Sequence, residues 1–232
     1  MTVSVAMAVY NGEKYISEQI KSILPQLKES DELVISINPS SDQTEYIVKE
    51  YAKKDNRIKI FICEKRGVLP NFENAIRQCK NEIIFLSDQD DIWVEGKVEQ
   101  QLKYFEDDSV GGVCHGCKYI DGNDELMKSQ PKLGRTRKIK FFYLLIKNQV
   151  QGGTLAFRRN MIGYFLPFPK HIPMHDSWIG ICLSRKSSLL YINKPLLLYR
   201  QHDGTVTKRK HGSLISMIKD RIKLAYAFLK SL

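Results

Sequence analysis

Phe85-Leu86-Ser87-Asp88-Gln89-Asp90-Asp91-Ile92-Trp93, residues 85–93, is the stretch whose reading decides the fold. With Ile83 and Ile84 ahead of it, residues 82–87 form a short apolar run and are predicted as a strand buried on both faces. Asp88, Asp90 and Asp91 follow with only Gln89 between them. Alternate side chains of an extended chain share a side, so Asp88 and Asp90 point the same way. Carboxylates this close repel, and a cation makes the cluster tolerable. Hard oxygen donors suit Mg²⁺ or Mn²⁺, either of which can bridge to a diphosphate. An isolated Asp-x-Asp is more often a solvated acidic turn. Directly after a buried strand, at the edge of a sheet where ligands bind, it reads as a metal and phosphate site.

Working outward toward the N-terminus, residues 3–9 read as a buried strand that Asn11-Gly12 breaks. Residues 13–27 place Tyr15, Ile16, Ile20, Ile23, Leu24 and Leu27 on one helical face. Residues 32–37 are a second strand. Asn38-Pro39-Ser40-Ser41 is turn chemistry, with Ser40 or Ser41 as N-cap for a helix over 42–53. A third strand over 58–63 and a helix over 67–80 complete the order β-α-β-α-β-α-β with short links. That order predicts an α/β fold with a mostly parallel sheet flanked by helices. Ligands on such sheets bind beyond the carboxyl ends of the strands. Tyr10-Asn11, Asn38, Lys65-Arg66 and residues 87–91 therefore gather around one crevice.

Beyond Trp93 the pattern is less regular. Residues 94–105 read as a helix, 110–120 as a strand, Gly122-Asn123 as a turn, and 153–157 and 189–199 as strands. Residues 206–232 read as a basic amphipathic helix or pair of helices, with Leu214, Ile218, Ile222, Ala225, Leu229 and Leu232 at helical spacing.

The chain has 232 residues, 43% hydrophobic and 27% charged, the composition of a globular domain with a substantial core. No repeat or low-complexity segment points to a solenoid or to disorder. The opening residues lack the basic and apolar regions of a signal peptide, and no stretch approaches the ~20 apolar residues of a spanning helix, so a cytoplasmic location is expected. An odd count of five cysteines fits reduced thiols. Cys114-His115-Gly116-Cys117 has half the spacing of a zinc site, but no second pair completes it. The net charge of +10 favours anionic partners. No nucleic-acid-binding signature accompanies it, so nucleic acid is not expected among them.

Six segments in order resemble the family 2 glycosyltransferases of bacterial polysaccharide synthesis, especially the rhamnosyltransferase-like group. They are Ala6-Met7-Ala8-Val9-Tyr10-Asn11-Gly12-Glu13, then residues 67–76, then Ser87-Asp88-Gln89-Asp90-Asp91-Ile92-Trp93. Gln151-Gly152-Gly153-Thr154-Leu155-Ala156-Phe157, Met174-His175-Asp176-Ser177-Trp178 and Tyr199-Arg200-Gln201-His202 follow. Each motif is weak alone; together they run from residue 6 to 202.

The resemblance implies a GT-A fold over residues 1–205, with a nucleotide-sugar-binding half (1–93) and an acceptor-side half (94–205), followed by the basic helical segment 206–232. It implies an enzyme that moves a sugar from a nucleotide-diphosphate donor, a UDP-hexose or dTDP-rhamnose, to a glycan or lipid-linked acceptor with inversion. It implies donor contacts from Ala8, Tyr10, Asn11, Glu13, Asn38, Arg66, Asn71, Asp88, Gln89 and Arg200. Asp90 and His202 would hold Mn²⁺ or Mg²⁺, and Asp176 would be the catalytic base. Gly153, Thr154, His175 and Trp178 would face the acceptor. One departure stands out: Asn38 occupies the place of the family's base-reading Asp, although an amide both donates and accepts hydrogen bonds. For Trp178 a place in the core is the commoner reading, and for Arg66 a plain surface charge weighs equally with a phosphate contact.

Two basic regions stand apart from these motifs. Residues 132–147 set Arg135, Arg137, Lys138, Lys140 and Lys147 around Phe141, Phe142, Leu144, Leu145 and Ile146, and residues 206–232 set Lys208, Arg209, Lys210, Lys219, Arg221, Lys223 and Lys230 around an apolar stripe. Such segments suit an anionic membrane surface, here the inner face of the cell membrane. A helix packed on the catalytic domain with a solvated basic face is the plainer reading. The competing functional class is a non-catalytic nucleotide- or glycan-binding module on the same fold.

Overall fold

Strand β1 (Val3–Val9) pairs in parallel with β2 (Glu32–Ile37) on one side and β4 (Ile83–Ser87) on the other, and β2 pairs in parallel with β3 (Ile58–Ile62). This computed structural model describes residues 1–202 and 214–230. Helices α1 (Ile16–Ile23), α2 (Thr44–Lys54) and α3 (Val68–Gln78) connect the strands. Alternation along the strands sorts the core into two layers. Val3, Val5, Met7 and Val9 of β1 pack with Ile16, Ile20 and Val48 of α1 and α2. Ala6, Val34, Ile84 and Leu86 pack on the other face with Phe72, Ala75 and Ile76 of α3. The start of α2 is held by Asp42, whose carboxylate accepts the Thr44 N–H at 3.0 Å, and not by a serine.

The second half adds β5 (Ile92–Trp93), α4 (Lys97–Leu102), β6 (Val110–Ile120), β7 (Arg137–Lys138), α5 (Phe141–Ile146), β8 (Ala156–Arg158), α6 (His175–Lys186), β9 (Ser188–Arg200) and α7 (Leu214–Lys230). The sheet runs β3-β2-β1-β4-β8-β6-β9-β5, with β7 on the side of β9. Beyond the parallel first half it becomes mixed: β8 is antiparallel to both β4 and β6, and β5 is antiparallel to β9. The acidic segment links β4 to β5, four places away in this order. Its five steps from Ser87 to Ile92 span at most about 17 Å. Four spacings on a flat sheet take about 19 Å. The sheet therefore curls, and the carboxylates sit inside the curl.

Several elements differ from the sequence reading. Residues 94–105 are not one helix, because Trp93 is taken into β5 and a turn at Glu95 and Gly96, with Gly96 in the left-handed region at φ 75°, precedes α4. Residues 152–154 form a 3₁₀ turn, and strand β8 starts only at Ala156. Helix α6 was not foreseen: every residue from His175 to Leu183 is buried, so it has no polar face to set a period. Of the basic segment 206–232, α7 is described, while Lys208, Arg209, Lys210 and His211 lie outside the described residues. Helix α7 packs through Leu224 and Ala227, and the stripe residues Ile218, Ile222 and Leu229 face outward. Among the described residues no helix is long and apolar enough to cross a membrane. All five cysteines are buried and unpaired.

Candidate active site

A cleft of about 360 Å³ opens where β1 and β4 end and α6 begins. It gathers Ala8, Tyr10, Asn11, Asn71, Asp88, Gln89, Asp90, His175, Asp176 and His202 from distant parts of the chain. Val9, Val68, Phe72, Gln151, Gly152, Met174 and Tyr199 complete its wall.

The β1 side of the cleft is built from amides whose bonds are made within the protein. The Gln89 side chain accepts the Tyr10 N–H at 2.7 Å and donates to the Tyr10 carbonyl at 2.9 Å. That pins the loop after β1 and leaves the Tyr10 ring half exposed on the rim. Asn71 donates to the Val9 carbonyl at 3.0 Å and accepts the Ser36 hydroxyl at 2.6 Å. Asn11, in the left-handed region at φ 45°, accepts the Ser41 N–H at 2.9 Å.

The floor is different. Asp88 is partly buried and Asp91 fully so. Burial raises both carboxyls above the usual range, and the nearby Asp90 carboxylate raises them further. Asp91 accepts the Arg200 N–H at 3.0 Å through Oδ1, while Oδ2 has no hydrogen-bond partner in the protein. Behind the acidic segment lies Lys97, whose Nζ donates to the Gly153 carbonyl at 2.6 Å and sits 3.9 Å from the centre of the Trp93 ring. Burial pushes this ammonium down to about 7, against the opposing pull of Asp91 and Asp88.

The Gly152-Gly153 turn brings the two carboxylate sets together. A Cβ at Gly153 would lie 3.0 Å from Asp91 Oδ2 and 3.3 Å from Asp88 Oδ2, and one at Gly152 would lie 2.9 Å from His175 Nε2. Glycine is required by this crowding, since backbone N–H groups must approach the acids directly. The Gly153 N–H bonds Asp88, and the Gly152 N–H bonds Asp176.

Asp176 stands in the first turn of α6, where the helix dipole favours a negative charge. The Ser177 N–H donates to it at 2.5 Å, and Asn148 also bonds it. Burial outweighs these donors and pushes its carboxyl up to about 6. His175 stacks on Phe72 with ring centres 4.0 Å apart. Burial pushes its imidazole down to about 3, so it is neutral, and neither ring nitrogen has a partner in the protein. His202 Nε2 lies 2.9 Å from Asp90 Oδ2.

Other expected site residues lie away from this cleft. The guanidinium of Arg200 is buried: it bonds the Asp90 carbonyl at 2.8 Å, pairs with Glu18 at 2.8 Å and with Asp124, and covers the Tyr15 ring. It fixes the acidic segment from behind and does not reach into the cleft. Asn38 donates to the Cys63 and Lys65 carbonyls at 2.6 and 3.1 Å and accepts the Gly67 N–H at 3.1 Å, which uses its amide to hold the loop before α3. Glu13 accepts the Gln43 N–H at 2.9 Å beside the start of α2. Trp178 is in the core, its indole N–H donating to the Phe165 carbonyl at 2.9 Å. Thr154 is buried and bonds the Gln151 carbonyl at 2.8 Å, and Gly153 reaches the site through its backbone. Arg66 lines a second pocket on the far side of α3. His115 is a buried residue of β6 beside Cys114. Lys97, Asn148 and Gly152 are the additions of the structure. Gly152 carried a signal in the Gly-Gly pair; Lys97 and Asn148 carried none.

Asp90 and His202 offer a carboxylate oxygen and an imidazole nitrogen side by side, and the crowded acids of the floor call for a positive charge. This donor set fits Mn²⁺ or Mg²⁺. Among the described residues no three acidic, His or Cys side chains are already gathered at coordinating distance.

Fold and site together give an α/β domain with a carboxylate floor at the strand ends and a second carboxylate, Asp176, in the wall of the same cleft. Comparison with known proteins gives the family. The glycosyl transferase family 2 profile matches residues 4–164, and the chain belongs to that family. It is 31% identical over 216 residues to the O-antigen biosynthesis glycosyltransferase WbnJ of Escherichia coli, covering 89% of this chain and 82% of that one. It is 26% identical to the E. coli UDP-Glc:alpha-D-GlcNAc-diphosphoundecaprenol beta-1,3-glucosyltransferase WfgD, covering 91% and 82%. Against the putative glycosyltransferase EpsH of Bacillus subtilis, at 29% identity, it covers 91% of its own length and spans 64% of that protein. The crystal structure of Staphylococcus aureus TarS with UDP-GlcNAc superimposes with a TM-score of 0.78 at 18% identity, over 99% of this chain and 67% of that one, and shows the shared GT-A fold.

Proposed function

We propose that this chain is an inverting, metal-dependent glycosyltransferase that extends a bacterial surface polysaccharide from a nucleotide-diphosphate sugar. The observation that carries the reading is the pairing of Asp176 with the Asp88–Asp91 floor inside one cleft. The exposed Tyr10 ring offers a stacking surface for a base. Asp88 would hold the donor ribose or sugar. Asp90 and His202 would hold the divalent ion, which when bound neutralises the charge that develops on the departing diphosphate. Asp176 takes the acceptor hydroxyl proton, and the raised position of its carboxyl suits a base that works near neutral pH. The N–H groups of Gly152 and Ser177 and the Asn148 side chain keep it oriented. His175, neutral and unpartnered in the protein, is free to bond the acceptor from beside the base. One base opposite the leaving group gives a single displacement with inversion.

UDP-hexose and dTDP-rhamnose both remain fitting donors, since the Asn38 side chain is used within the loop. The acceptor reading is a lipid-linked saccharide, the chemistry named for WfgD. A peripheral contact with the inner face of the membrane goes with it. Ile218, Ile222 and Leu229 of α7 and Phe142 and Ile146 of α5 are exposed, with Lys219, Lys223, Lys140 and Lys147 beside them.

Calorimetry with UDP, dTDP and GDP, each with Mn²⁺ and then with EDTA, tests the proposal on wild type and Asp90→Ala. Metal-dependent binding of one nucleotide, lost in the variant, is expected. Absence of binding to all three in the presence of metal would overturn it in favour of a glycan-binding module.

A further inference from the structure

A second pocket of about 640 Å³ lies on the outer side of α3, separated from the cleft by that helix. Val68, Asn71 and Phe72 face the cleft, whereas Leu69, Pro70 and Glu73 face this pocket. Lys65, Arg66 and Lys170 surround it, and among the described residues none of the three pairs with a carboxylate. The one carboxylate in its wall, Glu73, is already engaged: Arg77 pairs with it at 2.7 Å and the Phe168 N–H donates to it at 2.9 Å. That second bond ties the 168–170 segment to α3, so two sides of the pocket are fixed to each other. The pocket keeps an uncompensated charge of three cations around one cavity, where an anion between them would be reached within about the ~8 Å screening length at physiological salt. Phe168, Leu69 and Pro169 add an apolar wall.

The pocket is joined to the cleft by chain. The segment that supplies Phe168 and Lys170 continues to Met174, in the cleft wall, and to Asp176. Six residue steps from Phe168 to Met174 cover at most about 20 Å. An acceptor lying along this segment can present a hydroxyl to Asp176 while an anionic group further along reaches Lys65, Arg66 and Lys170.

We propose that this pocket is the subsite for the phosphoryl group on the acceptor's carrier, with the basic rim binding a diphosphate and the apolar wall receiving the first part of the chain attached to it. The assignment rests on the transferase reading above and extends it to a site that reading does not use. Two or three cations closing on a diphosphate make charge-assisted bonds, the Arg66 guanidinium in bidentate fashion.

The test is calorimetry on the full chain in EDTA, with inorganic pyrophosphate and geranyl diphosphate as probes. Wild type is expected to bind pyrophosphate, more weakly as salt rises, and to keep binding it when the cleft is filled with UDP and Mn²⁺ in a parallel metal-containing titration. Lys65→Gln/Lys170→Gln should weaken it at least tenfold, while Asp90→Ala binds it as wild type does. Tighter binding of geranyl diphosphate than of pyrophosphate supports a lipid carrier; equal binding keeps the phosphoryl site and overturns the lipid as its source. The proposal fails if wild type does not bind pyrophosphate, if the folded double variant binds within twofold of wild type, or if UDP with Mn²⁺ displaces the probe. UDP binding by the double variant, measured separately, is expected to match wild type. Its loss from wild type itself would strike at the transferase reading and not at the pocket.

Discussion

The two sides of the cleft meet their hydrogen-bonding needs to very different degrees. On the β1 side, Gln89 and Asn71 each bond two partners, and behind them the Asn38 amide bonds three. On the floor, one oxygen of Asp91 and both ring nitrogens of His175 have no partner in the protein, and burial raises the carboxyls of Asp88, Asp91 and Asp176. The first side costs little to keep and gives stability. The second is held in place by its neighbours at a cost in stability, as expected where groups are arranged for a ligand and not for the fold. Substitutions on the two sides should therefore move stability in opposite directions, and only those on the floor should strike the chemistry.

The largest expected effect is on rate. Asp176→Asn keeps the shape of the carboxylate and removes the proposed base, so kcat should fall about 10³-fold, within the range for general bases, while nucleotide binding by calorimetry stays unchanged. In wild type the same group sets a pH limb. With its carboxyl at about 6, kcat/KM should fall tenfold per pH unit below that point and level off above it. A flat profile between pH 5 and 7 would separate Asp176 from the reaction.

Next is a loss of stability on the satisfied side. Asn38→Ala strips the Cys63 and Lys65 carbonyls and the Gly67 N–H of their partner, which should cost about 2–3 kcal/mol. A melt should show Tm lower by about 5–10 °C for a chain of this size. If Asn38 were instead a base-reading residue on the surface of the cleft, Tm would hold and only nucleotide affinity would drop.

The smallest effect is a gain. Asp88→Asn removes a charge that the fold does not favour, and should stabilise the protein by about 1 kcal/mol at pH 7.5, a Tm higher by about 2–4 °C, while activity is lost. The sign follows from linkage. A carboxyl raised in the folded state binds its proton more tightly than the unfolded chain does, so its ionisation lowers stability as pH rises from the unfolded value toward the folded one. The advantage of Asp88→Asn should therefore disappear near pH 4, where wild type is also neutral. An equal or lower Tm at pH 7.5 would show that the floor is compensated after all.

The same contrast separates what could be read from residues and what could not. Strands β1, β2 and β6 lie where their apolar patterns end, because a buried strand between turn residues leaves little freedom in register. The place of Asp88 and Asp90 in the cleft was legible because acids directly after a buried strand have few structural reasons to be there, and that of Asp176 only through the resemblance of its His-Asp motif to the family's. Arg200 and Asn38 were not. Their residue types fit a ligand contact equally well, and only the packing shows Arg200 turned back onto Glu18 and Asp124 and Asn38 closed over its loop. Lys97 left no trace in the sequence, since one lysine at a helix start is ordinary until the fold buries it beside Asp91.

By itself, then, the sequence determined the parallel first half, the place of the acidic segment at its strand ends and the family that the six motifs mark. These depend on local periodicity and on residues close together in the chain. The curl that carries Ile92 to the far edge of the sheet, the Gly152-Gly153 turn between the two acid sets, and the outward face of α7 were decided by tertiary structure alone. Each rests on contacts between residues tens of positions apart, where geometry and burial, and not residue type, choose which side chains face the ligand.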